Sequence, residues 1–173
     1  MFSLFRIDYK EPEIKRIKKP IFFIGLEMNT TDRTIGRDIG ILGKKFNKIK
    51  SEYPIENVKV PREFVAVTKD YDPVKGRMKY MMGDIISEES KECHPDLNTF
   101  QIPEGKYAVF VVKPKTSFLW GYTLGNMKQY IYRKWLPSSG YINAGTIDDF
   151  EYHDQRSLLK KPEIDLFVAI KDK

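Results

Sequence analysis

The chain reads as an α+β protein of two strand–helix–strand–strand modules sharing a mainly antiparallel sheet. Three observations predict it. A short apolar strand, an amphipathic helix and a pair of strands follow one another twice along the chain. The apolar stripes of the two helices step almost identically. Neither half holds strands enough for a covered sheet of its own, so a pseudo-twofold pair with a common core, and a cleft where the modules meet, is expected.

Module one runs over about residues 20–87. "PIFFIGLEM" (20–28) is an apolar strand behind a proline boundary. Ile35, Ile39, Leu42, Phe46 and Ile49 recur at steps of four, three, four and three, one face of a helix, with Asp32 or Thr34 placed to cap it. "SEYPIENVKVPR" breaks that helix. "EFVAVTKDYD" (63–72) and "RMKYMMGDIIS" (77–87) form a hairpin across the turn signal "PVKG". Residues 88–103 read as a connector, polar and loop-like.

Module two occupies about 104–173, the two modules together making a single domain over 1–173. "YAVFVVKP" (107–114) is its first strand, introduced by the turn "IPEG". Trp120, Leu124, Met127, Ile131 and Trp135 step by four, three, four and four. "PSSG" (137–140) ends the helix, and "YINAGTIDDFEYH" and "EIDLFVAI" (163–170) supply the paired strands.

The 173 residues carry 41% hydrophobic and 31% charged side chains, an ordinary globular balance, with an aromatic share of 13% that suits a dense core or a ring-stacking pocket. The net charge of +6 gathers in "KRIKKP" (15–20) and "GKKFNKIK" (43–50). No zinc-finger spacing, basic leucine zipper or RNP-like motif accompanies it, so these lysines read as a solvated surface rather than a nucleic-acid face. Cys93 is the sole cysteine, which excludes an internal disulfide and fits a reducing cytoplasm. No apolar run approaches the ~18 residues of a membrane span, and the N-terminus lacks a signal-peptide core. A cytoplasmic protein without membrane contact is expected.

Glu151 stands between two rings in "DDFEYH". Strand alternation puts Phe150 and Tyr152 on the face opposite Glu151. The two rings belong against the helices more naturally than a carboxylate, so Glu151 is expected on the helix-free side with Asp149 and His153. Both sides of "EFVAVTKDY" are apolar, so that side is expected to be partly covered, as the wall of a groove between the modules.

"IPEGKYAVF", "WLPSSGY", "DDFEYHD" and "EIDLFVAI", taken in order, resemble the GyrI-like small-molecule-binding family, the effector-binding domain of bacterial transcription activators and of stand-alone integron-cassette proteins. "EFVAVTKDYD…MKYMMGDII", with Gly83, resembles the family's first hairpin. The resemblance covers about residue 20 to the end and implies the two-module fold and a cleft at its junction. It also implies binding of lipophilic, often cationic aromatic compounds, with rings stacking on the ligand and a glutamate, here Glu151, near the cleft floor. Some relatives are hydrolases of cyclopropane-containing compounds that use the equivalent glutamate; others inhibit DNA gyrase as protein binders. Only about 19 residues precede the first module, too few for a helix-turn-helix region, so direct DNA binding is not expected.

Glu151 is therefore the leading candidate, as counter-ion to a bound cation; desolvation among rings would raise its pKa, which would also suit acid–base work. Trp120, near the helix start, and Tyr71, Tyr80 and Tyr107 are the candidate ring walls, while Trp135 reads as core. In the hydrolase reading Tyr107 assists Glu151. A third reading makes the chain a protein-binding module with a protein partner. No cofactor is implied. Cys93, His94 and His153 do not make a zinc set, and "GRDIGILGKK" misses the phosphate-loop spacing.

Overall fold

The computed structural model describes residues 7–88 and 94–173, the side chain of Ser117 excepted. Residues 89–93, with Cys93 and part of the stretch read as a connector, lie outside them. Nine strands and two principal helices are described. The strands are β1 (Glu13–Ile17), β2 (Ile21–Thr31), β3 (Phe64–Asp72), β4 (Arg77–Ile85), β5 (Asn98–Ile102), β6 (Gly105–Val112), β7 (Tyr141–Asn143), β8 (Asp149–His153) and β9 (Ile164–Asp172). The helices are α1 (Ile35–Glu52) and α2 (Trp120–Tyr130); α2 runs on through a π-turn, Ile131–Trp135, and a last turn, Leu136–Ser138. Among the described residues no helix is long and apolar enough to cross a membrane.

The strand order is β1-β6-β9-β8-β3-β4-β2-β5, with β7 pairing the far end of β9, and every pairing is antiparallel. The order is a palindrome about the β8–β3 junction. Strands β2, β3 and β4 answer to β6, β8 and β9, and each half's outer strand is flanked by one more, β5 or β1. The predicted pseudo-twofold modules are this arrangement. Two strands were not anticipated. β5 lies in the stretch read as connector, and β1 precedes the first module yet pairs with β6 of the second.

Chain connectivity requires the sheet to curl. β5 and β6 lie six strand intervals apart in the order, ~29 Å in a flat sheet. Yet Ile102 and Gly105 are three residues apart, a reach of at most ~11 Å. The β1–β2 link imposes the same closure. Gly25 and Gly83 mark where the bend is tight. They are register partners on β2 and β4, and a Cβ on Gly25 would fall 1.8 Å from the carbonyl oxygen of Met82.

Curling divides the core in three. On the helix-bearing face, α1 lays Leu42, Phe46 and Ile49 over Ile24, Leu26, Ala66 and Tyr80. On the same face, α2 and its π-turn lay Met127, Ile131 and Trp135 over Phe110, Leu166 and Val168. The face without helices is also buried, because the sheet folds over it. Phe23, Val65, Val67, Tyr107, Val109 and Phe150 form one cluster there, each at most 4% exposed. That face is a filled core.

Candidate functional site

Register fixes where Glu151 points. Ala66, Glu151 and Leu166 lie side by side on β3, β8 and β9. Ala66 packs under α1 and Leu166 under α2. Glu151 thus sits on the helix-bearing face, in the seam between the helices. This corrects the expectation that Phe150 and Tyr152 meet the helices. Alternation separated the rings from the carboxylate as read, but the rings fill the inner face of the curled sheet.

The seam floor is charged. Glu151 is 7% exposed and Asp149, two residues earlier on the same face, 1%. Lys128 reaches down from α2, its Nζ 2.8 Å from Asp149 Oδ1, 3.8 Å from Glu151 Oε1 and 3.2 Å from Thr68 Oγ1. The Asp149 Oδ1 contact is an ion pair without aligned hydrogen-bond geometry; the Tyr132 hydroxyl donates to Oδ2 at 2.8 Å. His153 Nε2 lies 3.2 Å from Glu151 Oε2, and its ring rests between Phe64, edge-on at 5.7 Å, and Trp120 at 5.9 Å. Two carboxylates therefore share one lysine ammonium.

Electrostatics follow from this packing. Burial pushes the Glu151 carboxyl up, but the His153 hydrogen bond and the Lys128 charge outweigh it and hold it below the usual carboxylate range. The expected upward shift is thus reversed, since Glu151 already has partners. Lys128 is pulled down by burial and, more strongly, up by Asp149 and Glu151, so it stays charged. Burial, reinforced by the two carboxylates, lifts the Tyr80 phenol well above its ordinary value, so that hydroxyl is neutral.

The candidate ring walls separate. Tyr80 and Trp120 share the seam with Glu151. Tyr107 does not: it is 1% exposed on the inner face, where it donates to the Pro103 carbonyl at 2.7 Å. It cannot assist Glu151 across the sheet. Tyr71 is exposed at the end of β3, donating to Asp32 at 2.8 Å. A separate cavity of about 570 Å³ opens beyond the C-terminal end of α1, among Tyr53, Pro54, Ile55, His94 and Leu97, and includes none of the candidates.

The sequence reading missed Lys128 and the bareness of the seam. The two helices correspond at a constant interval: Leu42 to Met127, Gly36 to Gly121, Gly40 to Gly125 and Gly43 to Lys128 are each 85 residues apart (127 − 42 = 85), as are Ala66 and Glu151. Lys128 shows that this flank of α2 faces the seam, and the repeat gives α1 the same orientation. Beyond its own stretch of helix, a Cβ placed at Gly36, Gly40, Gly121 or Gly125 meets no heavy atom within 4 Å. All four glycines are exposed, so these helix flanks are bare backbone.

A model of the integron-associated effector binding protein family matches residues 14–170. The chain belongs to that family. Effector binding is the general function it shares with the family. No curated protein matches the chain. Among solved structures, an integron cassette protein from the mobile metagenome of Vibrio cholerae aligns with a TM-score of 0.63 at 14% identity, over 94% of this chain and 97% of that one. SAV2435 bound to tetraphenylphosphonium aligns with a TM-score of 0.65 at 12% identity, over 94% of each chain. EcmrR, in a complex with DNA, aligns with a TM-score of 0.68 at 12% identity, over 94% of this chain but 58% of its own length. At such identities these likenesses establish the family's fold.

Proposed function

We propose that the protein binds small, apolar organic cations in the seam between α1 and α2, with Glu151 as the anionic partner and Tyr80, Trp120 and Phe64 as the surrounding rings. One observation carries the reading. The helix flanks over the seam are glycine, and the floor beneath them holds two buried carboxylates against a single ammonium. Open space above a buried negative charge favours a cation over a neutral molecule of the same shape, because the charge is already desolvated before the ligand arrives. Rings beside it add cation–π attraction of roughly 0.5–2 kcal/mol. The tetraphenylphosphonium bound to SAV2435, a chain of the same fold, is a ligand of this chemistry.

The hydrolase reading loses support, because Tyr107 faces away and a carboxylate held below its usual range is a weaker base. The test is a thermal-shift comparison of wild type and Glu151→Gln with tetraphenylphosphonium and neutral triphenylphosphine oxide. A ligand that binds only the folded state raises the midpoint. The expected result is a shift with the cation in wild type that is lost in the variant. Equal responses of both proteins to both compounds would remove Glu151 from the site.

A further inference from the structure

We propose that Lys128 is the seam's built-in counter-cation: its ammonium occupies the floor when no ligand is present and swings out to solvent when an organic cation enters. The lysine then sets both affinity and charge selectivity. This rests on the ligand-binding reading above.

Three observations converge on Lys128. The first is the repeat: the position equivalent to Lys128 in module one is Gly43, so the fold does not need a side chain there. The second is the geometry. Lys128 Nζ is close to Asp149 but stands off at 3.8 Å from Glu151 Oε1, so it neutralises Glu151 only loosely. An incoming cation at Glu151 would meet the ammonium at a few ångströms in a poorly screened setting, and two positive charges do not share that floor. The third is the exit. Lys128 keeps 22% of its side chain exposed while the carboxylates beneath keep 2% and 9%, and a four-carbon stem lets an ammonium move to water without moving its helix. On its departure Asp149 keeps the Tyr132 hydroxyl at Oδ2 while its Oδ1 depends on the incoming cation for a counter-charge, and Glu151 retains His153 and gains the ligand. Thr68 and Tyr80, the other polar side chains facing the floor from β3 and β4, are neutral and do not compete.

Calorimetric titration of tetraphenylphosphonium and triphenylphosphine oxide into wild type, Lys128→Met and Lys128→Arg at pH 8 tests this. Lys128→Met is expected to bind the cation at least about tenfold more tightly, the neutral compound within about twofold, and Lys128→Arg to resemble wild type. Unchanged or weaker cation binding by a folded Lys128→Met overturns the proposal. A second measurement needs no variant: reductive methylation of Lys128 in the wild-type protein, followed by peptide mass spectrometry, should accelerate several-fold when the cation saturates the site. An unchanged or slower rate counts against displacement. If neither wild type nor Lys128→Met binds any cation, the ligand-binding reading fails and this inference with it. If wild type binds the cation while Lys128 stays unreactive, only this inference fails.

Discussion

Replacing glycine by alanine should have opposite signs at two places in this fold. At Gly25 the new Cβ would lie 1.8 Å from the Met82 carbonyl oxygen and 2.7 Å from the Gly83 Cα, where real contacts do not fall below 3.0 Å. The obstructing atoms are backbone, so the strands would have to part by about 1.2 Å (3.0 − 1.8) at the tightest point of the curl. Overpacking that cannot relax through side chains lies at the upper end of its usual range, about 3 kcal/mol or more. At Gly40 on α1 a Cβ meets no heavy atom within 4 Å beyond its own stretch of helix, and alanine gains helix propensity of about 0.8–1.0 kcal/mol. For a chain of this length, thermal midpoints should fall by about 6–12 °C for Gly25→Ala and rise by about 2–4 °C for Gly40→Ala. Scanning calorimetry on the two variants measures both. A Gly25→Ala protein within about 1 kcal/mol of wild type would refute the argument that these glycines permit the close crossing of β2 and β4.

Asp84, 1% exposed, receives Arg62 Nη2 at 2.7 Å and Lys50 Nζ from α1 at 3.0 Å, so Asp84→Asn should cost about 2–4 kcal/mol in urea unfolding. The cost is limited because Arg62, 56% exposed, can turn to water. Glu151 is held below the ordinary carboxylate range, so its contribution to stability is fully present above the unfolded value of ~4.3 and is lost as pH falls through its lower folded value. Unfolding free energies from pH 7 to pH 3 should therefore drop more steeply in wild type than in Glu151→Gln below about pH 4. Tyr107→Phe leaves the Pro103 carbonyl without its donor, which should cost about 1 kcal/mol while leaving cation affinity unchanged by calorimetry.

Much of the architecture was legible in the apolar spacing. Helix α1 spans the stripe from Ile35 to Ile49, and the hairpin β3–β4 closes across the predicted turn. The four-four step at Met127, Ile131 and Trp135 was the trace of the π-turn, whose extra residue keeps Ile131 and Trp135 both buried. β1 was missed because "EIKRI" is an edge strand with all but Ile17 exposed, and edges carry charge rather than an apolar signal. β5, "NTFQI", is too short to declare itself. The orientation of Glu151 failed for a different reason. Alternation tells which residues share a side, but not which side the helices take, and a sheet that curls has two buried faces. The apolar doubling in β3 was the available clue. Lys128 was hidden because a long side chain at the border of an apolar stripe reads as solvated, and only the repeat, which sets it opposite Gly43, marks it.

The most direct measurement is a crystal structure of the protein grown with tetraphenylphosphonium. The phosphorus is expected between α1 and α2, within roughly 6 Å of the Glu151 carboxylate and flanked by Trp120 and Tyr80, the distance over which ring and charge attraction acts. A cation lodged instead in the cavity beyond α1, beside Tyr53 and His94, or a seam that stays closed at saturating ligand, would contradict it.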